Sequence, residues 1–449
     1  MEKKHMKKEI TLFMATMLVC GNMIGSGVFM LPATLADVSG PLATMIAWII
    51  TTIGSILIAI SFANLGSKYP STGGAYQYTK EAFGEFAGFL SAWLYWNGSW
   101  IGNAAIIVAL ASYSAAIIPA LNNPLVSIIY TSSILWIFTI INIVGVKKAG
   151  KIQSFVTVFK IVFFGLFVVV AFLNFDSANF LPLMPDGKGL ESIPLAATST
   201  LWAFVGLESA TVTAGEISNP EKNVRKSTIY GMIISAIIYI LISVASMGAM
   251  PNGELATSSA PLTDILTNIL GSAIGKPLAI SVVICILGTT IGWLLSTARV
   301  AYAAGEDGVF PKVFGKLHPK YSTPSHALII GSILVNILLI MNYQKSMVSA
   351  FTFITILATL AFLPVYLLTA CAEIMLMFKG EKEITLKIFF KKSFVPLLAF
   401  IYTIWTIYGS GAEIVMWGFI LMLLGVPFYI YNYHKNKSVS YTHLTLPTT

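Results

Sequence analysis

Long apolar stretches, separated by short polar segments, run through nearly the whole chain. Most of them reach or approach the roughly 20 residues that a helix needs to cross the hydrocarbon core of a bilayer. The pattern predicts twelve membrane spans, at residues 10–36, 41–66, 84–118, 125–144, 152–174, 194–217, 228–250, 277–304, 324–342, 348–378, 394–409 and 412–432. We therefore expect an all-α integral membrane protein.

Two of the predicted spans are interrupted by residues that disfavour a helix. The first contains the nonapeptide from Gly21 to Phe29, whose three glycines cost an ordinary helix roughly 2–3 kcal/mol relative to alanine. The sixth contains Gly206 and Glu208 in the middle of an apolar run. Backbone groups freed inside a membrane need another partner, such as a substrate. Breaks five spans apart therefore predict a 5+5 inverted repeat, two additional helices, and a binding site between the breaks.

The bulk composition agrees with a membrane domain. The chain has 449 residues, of which 56% are hydrophobic and 10% are charged, against about 25% charged in soluble domains. We expect one membrane domain at 10–435, between a cytoplasmic N-terminal segment, 1–9, and a C-terminal tail, 436–449. Within the tail, residues 438–449 differ in composition from the rest of the chain and are expected to be a non-native scar, translated from vector or adapter sequence. The basic N-terminus leads into an apolar run too long for a cleavable signal peptide.

The net charge of +8 is explained by membrane topology and not by a nucleic-acid partner. With the N-terminus inside, 23 of the 27 Lys and Arg residues fall on that side, while the opposite side holds Lys188, Lys276 and Lys345. Such an excess of basic residues marks the cytoplasmic side of a membrane protein. It predicts a multi-pass protein of the inner (cytoplasmic) membrane with both termini in the cytoplasm.

The sequence shows no cluster typical of an enzyme or a metal site. Cys20, Cys285 and Cys371 lie in apolar spans at unrelated spacings, which predicts packing roles and no disulfide framework. No His, Cys or carboxylate cluster has metal-ligand spacing, and no nucleophile–base pair can be recognised. We expect no enzyme activity, no cofactor and no metal.

The interrupted first span predicts a site built from backbone groups. Free amides of Ser26 and Gly27 at the start of an outer half-helix would attract a carboxylate. Carbonyl groups of Met23, Trp202 and Val205 would suit an ammonium group. Together they predict a clamp for a zwitterionic α-amino acid. The alternative is a glycine kink that serves close helix packing.

Two ionisable residues lie deep in predicted spans. Glu208 follows Pro194 by 14 residues, roughly 21 Å along a helix, which is near the middle of the bilayer. Lys160 lies nine residues after Lys151, about 13 Å into the fifth span. Such residues are functional candidates, here for proton coupling. The alternatives are a structural hydrogen bond for Glu208 and extension of Lys160 toward the cytoplasmic surface.

Aromatic and amide side chains also cluster near mid-depth. Trp293 and Trp202 offer ring faces that can bind a guanidinium or ammonium group, although tryptophan at this depth is otherwise core. The segment from Tyr95 to Asn103 carries amides that could bind a polar substrate or join helices. The glycine-rich segment 70–80 is expected to pack beneath the bundle, as a gate or as a plain connection.

Five motifs together give the chain a recognisable signature. They are residues 21–29, 202–210, 219–224, 305–311 and 409–417. With them the chain resembles the amino acid–polyamine–organocation superfamily, and within it the basic amino acid/polyamine antiporters, which include arginine/agmatine and putrescine/ornithine exchangers. The resemblance covers about residues 8–435. It implies a LeuT-like fold of about twelve helices, with substrate between spans 1, 3, 6, 8 and 10, and a homodimer.

The resemblance also implies roles for single residues. Ser26 and Gly27 would bind the carboxylate, Trp293 would stack on a guanidinium, and Asn103 would contact the head group. With the residues already described, the expected substrate-binding set is Asn22, Met23, Gly25, Ser26, Gly27, Ser99, Asn103, Trp202, Val205 and Trp293. The expected proton-coupling residues are Glu208 and Lys160, and the expected gates are Trp202, Tyr95 and Tyr366.

Some positions depart from the arginine exchanger pattern. Ser99 replaces a cysteine, and span ten offers Thr355, Ala358 and Thr359 in place of a serine. Lys160 is similar to a lysine found in proton-coupled members. The expected function is exchange of arginine, ornithine or lysine for the decarboxylated amine or a polyamine by alternating access. The alternatives are a proton-coupled amino acid permease and, more remotely, a membrane sensor that does not transport.

Overall fold

The structure, a computed structural model, describes residues 8–115, 117–258, 260–342, 347–381 and 383–444. Short 3₁₀ turns apart, the regular elements of this part are helices, and residues 1–7 and 445–449 of the predicted terminal segments lie outside it. The helices are α1 (Leu12–Met23), α2 (Gly27–Val38), α3 (Pro41–Lys68), α4 (Ala75–Phe83), α5 (Glu85–Ala115), α6 (Pro124–Val144), α7 (Val146–Leu173), α8 (Ile193–Phe204), α9 (Ser209–Val212), α10 (Pro220–Ala249), α11 (Asn252–Thr257), α12 (Pro261–Leu270), α13 (Gly275–Glu306), α14 (Ser325–Asn342), α15 (Met347–Met377), α16 (Leu386–Gly409) and α17 (Ala412–Leu444).

The twelve predicted spans correspond to these helices. Ten segments of the described part are long and apolar enough to cross a membrane, and α14 supplies a shorter apolar helix at 325–341. The remaining predicted span is the pair α8 and α9, which stops at Phe204 and resumes at Ser209. The first span stops at Met23 and resumes at Gly27. The all-α membrane fold and both predicted breaks are confirmed.

Several helices begin earlier than predicted. Helix α7 begins at Val146 and not at 152, α10 at Pro220 and not at 228, and α16 at Leu386 and not at 394. Their first turns carry lysines, which lie outside the hydrocarbon core and so fall outside an apolar pattern. A proline in the first turn, as in α10, also favours a helix start.

The predicted cytoplasmic segment 70–80 contains a turn and the start of a short helix. Gly73 (φ 110°) and Gly74 (φ 49°) turn the chain into α4, which packs against α5 and α15. Tyr76 and Lys80 each donate a 2.6 Å hydrogen bond to Asp307, just after α13. Burial alone would raise the pKa of Asp307, but these hydrogen bonds outweigh it and hold the pKa below its ordinary value. The segment packs as predicted, and a gating role stays a prediction.

The broken helices lie at the centre of the bundle. Within an apolar stretch of 18 residues in the segment Leu12–Val38, 89% is buried inside the protein, and the corresponding share in Glu85–Ala115 is 83%. The corresponding values are 22% for Pro124–Val144 and 17% for Val415–Lys435, so these helices present their apolar side chains to lipid. Residues 21–27 and 203–209 are all buried, so both helix breaks lie away from lipid.

Candidate functional site

The two helix breaks meet at a small cavity in the centre of the bundle. Gly206, in the break between α8 and α9, lies against the backbone of Asn22 and Met23, and a Cβ there would come within 3.0 Å of both. The space beside them between the helices amounts to about 370 Å³ when the part open to solvent is included. Nine of the ten predicted substrate-binding residues line it, namely Asn22, Met23, Gly25, Ser26, Gly27, Ser99, Trp202, Val205 and Trp293.

Polar backbone groups face this cavity at the start of α2. Ser26 precedes the helix and Gly27 is its first residue, so their amides have no intrahelical acceptor. The hydroxyl of Ser26 is buried and has no hydrogen-bond partner within the described part of the chain. The helix dipole adds partial positive charge at this end. These groups are disposed to hold an anion.

The indole ring of Trp202 covers the cavity on one side. A Cβ at Gly27 would lie 2.8 Å from Trp202 Cδ1, and a Cβ at Gly102 would lie 3.5 Å from Trp202 Cη2. The ring is therefore packed between α2 and α5, and glycine is needed at least at position 27 for it to fit. This placement suits a gate, although the gating role stays a prediction.

Trp293 forms another wall and is fixed by two neighbours. Its Nε1 donates a hydrogen bond to the Asn22 carbonyl (3.0 Å), and its ring packs against Phe362 with centroids 5.6 Å apart. The side chain of Asn22 donates to Ser209 (2.8 Å) and Ser296 (3.1 Å). These contacts join both breaks to α13.

Asn103 is the predicted binding residue that does not line the cavity. Its Nδ2 donates to the hydroxyl of Thr297 on α13 (3.2 Å), so it joins two helices, while its Oδ1 is buried without a partner among the described residues. Ser99 does line the cavity, and its hydroxyl donates to the Tyr95 carbonyl (2.7 Å). The side chain of Thr355 lies outside the described residues.

Glu208 is buried and links three helical segments. It accepts hydrogen bonds from Tyr95 on α5 (3.0 Å), from Tyr366 on α15 (2.9 Å) and from the amide of Gly206 (3.2 Å). The predicted coupling acid and two predicted gate residues thus form one cluster, hereafter the Glu208 cluster. Any change at Glu208 would act on α5 and α15 directly.

Lys160 is fully buried against the end of α1. Its ammonium group donates to the carbonyls of Gly21 (3.1 Å) and Ile24 (2.8 Å) and to the hydroxyl of Thr289. All three protons are thereby used, at the negative end of the helix dipole. The ammonium group does not extend to a membrane surface, unlike the alternative expected from the sequence.

Several residues of the site lie outside the predicted set. Thr289 and Phe362 line the cavity, as do Gly98 and Gly102. The glycine pair has the four-residue spacing typical of close helix packing, and Gly98 packs against α15 at Ala361 and Phe362. That spacing was a usable signal, whereas a phenylalanine in an apolar helix gave none.

The chemistry of the lining is neutral. Among the described residues that line the cavity, none has an ionisable side chain. In the described ranges there is also no group of three or more His, Cys, Asp or Glu side chains that could hold a metal ion. The cavity offers amides, carbonyls, hydroxyls and aromatic rings, which suit reversible binding of a small polar molecule.

Known proteins similar to this chain are named as antiporters or transporters. A Bacillus subtilis (strain 168) protein provisionally named an arginine/ornithine antiporter is 32% identical over 96% of this chain and 98% of its own length. The arginine/agmatine antiporter of Chlamydia felis is 30% identical over 94% of this chain and 89% of its own. The putrescine transporter PotE of Escherichia coli K12 is 30% identical over 92% and 94%, respectively. The family model of the amino acid permeases matches residues 10–445, and the chain therefore belongs to the amino acid permease family.

Proposed function

We propose that this protein is a secondary transporter that exchanges a cationic amino acid, such as arginine, ornithine or lysine, for its decarboxylated amine or a polyamine. The observation that carries the proposal is the meeting of two broken helices at one cavity with the free amides of Ser26 and Gly27. The names of the relatives, which refer to arginine, ornithine, agmatine and putrescine, support this choice of substrates.

The cavity suggests a role for each end of the substrate. The carboxylate binds at Ser26 and Gly27, and the α-ammonium group binds carbonyls of Met23 and the α8–α9 break. The cationic side chain stacks on Trp293, because a buried ring face attracts a cation without a counter-charge. The decarboxylated product lacks the group that Ser26 and Gly27 bind, which distinguishes it from the amino acid.

Transport follows from alternating access to this one cavity. Trp202 closes one side, and the Glu208 cluster connects the break in the sixth span to α5 and α15. Halves of the broken helices rock around the site and expose it to each side in turn. Exchange results if the empty carrier reorients slowly compared with the loaded one.

Counterflow in proteoliposomes tests the exchange. Vesicles preloaded with agmatine, putrescine or cadaverine are expected to take up labelled arginine, ornithine or lysine, respectively, in a saturable manner. Equal uptake into empty vesicles would contradict exchange. If ligands bind but no labelled solute crosses, the protein is a sensor and not a transporter.

Lys160 favours a second candidate, a proton-coupled amino acid permease. Its ammonium group ties α7 to α1 and α13, so gain or loss of one proton would change how these helices are held together. Accumulation driven by a proton gradient in empty vesicles, abolished in Lys160→Ala, would select this mode over exchange.

We also propose a bacterial inner-membrane location with both termini in the cytoplasm, and a homodimer. The distribution of basic residues and the bacterial relatives support the location. The dimer follows from the family resemblance. Crosslinking in native membranes, which should yield one band of twice the monomer mass, tests it.

A further inference from the structure

Glu373 is a buried acid that the proposed transport mechanism does not yet use. It lies close to the end of the predicted span 348–378, yet only 2% of the residue is exposed. It lies on α15, and its Oε1 accepts a 2.8 Å hydrogen bond from Asn64 on α3. Oε2 is buried and has no hydrogen-bond partner within the described ranges.

Glu373 differs from the other buried acids of the described chain in its partners. Glu216 forms a salt bridge with Arg299, and Glu208 accepts three hydrogen bonds. Glu373 has one neutral amide donor and no cation within salt-bridge distance among the described residues. A buried carboxylate needs a positive partner or several donors, so this environment suits the neutral carboxylic acid.

A second polar group, the hydroxyl of Ser61, lies near the Glu373 carboxyl. The hydroxyl of Ser61 is buried and likewise without a partner in the described part of the chain, and it lies one turn from Asn64 on the same helix, close enough to act on the Glu373 carboxyl. A hydroxyl can accept a hydrogen bond from a neutral carboxyl or donate one to a carboxylate, so Ser61 can bond to Oε2 in either protonation state, while Oε1 keeps the bond from Asn64.

An ionised Glu373 carboxylate would find a positively charged partner only at the protein surface. Lys68 lies one turn beyond Asn64, at the exposed end of α3, and is a basic group on the helix that bonds Glu373. Other ionisable groups on helices packed against α15 at this end are exposed or paired, namely Lys80, Glu81, Glu85, Lys387, Lys391, Lys392, His434 and Lys435. Tyr78 on α4 is buried and neutral.

Helix α15 connects Glu373 to the Glu208 cluster. Tyr366, which donates to Glu208, lies seven residues earlier on the same face, about 10 Å away along the axis. Phe62, next to Ser61, packs on Tyr366 with centroids 5.7 Å apart. A movement of α15 relative to α3 therefore affects both acids.

We propose that Glu373 is a second proton-binding residue of the transport cycle, in addition to Glu208. It holds a proton on Oε2 while α15 is packed on α3. When the helices separate, the O–H bond breaks, water takes the proton, and the carboxylate turns toward Lys68. This proposal rests on the proposed transport function for its role in the cycle.

Infrared spectroscopy of the purified protein tests the proton site without transport. Spectra recorded at a series of pH values should contain a carboxyl C=O band that is lost in Glu373→Gln and retained in Glu413→Gln, an exposed control on α17. The glutamine keeps an acceptor for Asn64 and offers an amide to Ser61, so the variant should fold. A Glu373→Gln spectrum that retains every carboxyl band would overturn the proposal.

Arginine exchange at equal pH on both sides tests the role in the cycle. We expect Glu373→Gln to lose part of the pH dependence of the wild type and Glu373→Asp to shift it. A pH profile of Glu373→Gln that superposes on the wild type would refute this role. If the wild type exchanges nothing but the infrared band is still lost in Glu373→Gln, the exchange function fails and the proton site stands.

Discussion

At the scale of single residues, glycine allows the two helix breaks to contact each other. Gly206 has φ 114°, a conformation that other residues rarely adopt, and its Cα faces the backbone of Asn22. Gly27 has ordinary dihedral angles but lies under the ring of Trp202. The first glycine is required by its backbone conformation and its neighbours, and the second by its neighbour alone.

Gly206→Ala is expected to destabilise the protein by about 2 kcal/mol or more, because the backbone becomes strained and the new methyl group meets Asn22. The midpoint of thermal unfolding in detergent should fall. Gly253→Ala is the matched control, since Gly253 is exposed on α11 and a Cβ there meets nothing within 4 Å. Equal midpoints for the two variants would contradict this account.

Trp293→Leu is expected to weaken arginine binding about thirtyfold, since a buried cation–π contact contributes about 2 kcal/mol. Trp293→Phe keeps a ring face but loses the hydrogen bond to Asn22, so its affinity should be intermediate. Trp417→Leu, on the outer helix α17, should bind like the wild type. Calorimetry on purified protein measures all three, and wild-type affinity in Trp293→Leu would exclude a cation at this ring.

The residues that sequence could predict are those with an unusual type at their position. Glycines, a serine and an acid inside apolar spans signalled the site because each is costly there without a purpose. Phe362 and Thr289 are ordinary residues in apolar helices, and only the packing of α15 and α13 brings them to the cavity. Asn103 was unusual as well, but its partner on α13 could not be read from sequence.

At the scale of helices, the first, sixth and eighth spans are joined at one end of the bundle. The chain just before α1 pairs with the chain after α9, where Ile10 donates to the Glu216 carbonyl (2.9 Å) and Ser218 donates to the Ile10 carbonyl (2.9 Å). Arg299 of α13 holds the Glu216 carboxylate with two 3.0 Å hydrogen bonds, both residues being buried. The sequence did not predict these contacts, because the residues that form them are about 80 to 290 residues apart along the chain.

Removing one partner of this buried pair should destabilise the protein by about 3–5 kcal/mol, because the other charge is left buried and alone. This applies to Arg299→Met and to Glu216→Leu. The double variant should recover most of the loss, since two apolar side chains replace two paired charges. A double-mutant cycle on thermal unfolding measures the coupling. Strictly additive losses would mean that the two residues do not stabilise each other.

At the scale of the whole molecule, the lengths of the apolar stretches predicted most of the architecture. The spans followed from what a bilayer requires of a helix, and they are present as expected apart from their ends. What sequence could not supply is the arrangement of helices around the breaks, because most spans are apolar on all faces. Burial separates the central helices from those facing lipid, and this appears only once they pack.

The orientation of the molecule can be tested with two lysines that flank α13. Lys276 is exposed at the start of this helix and Lys316 is exposed beyond its end, so a single crossing places them on opposite sides of the membrane. In a background without Cys20, Cys285 and Cys371, Lys276→Cys should react with an impermeant maleimide in cells whose inner membrane is intact. Lys316→Cys should react only after that membrane is opened. The reverse pattern would place both termini outside, and it would exclude the distribution of basic residues as the cause of the orientation.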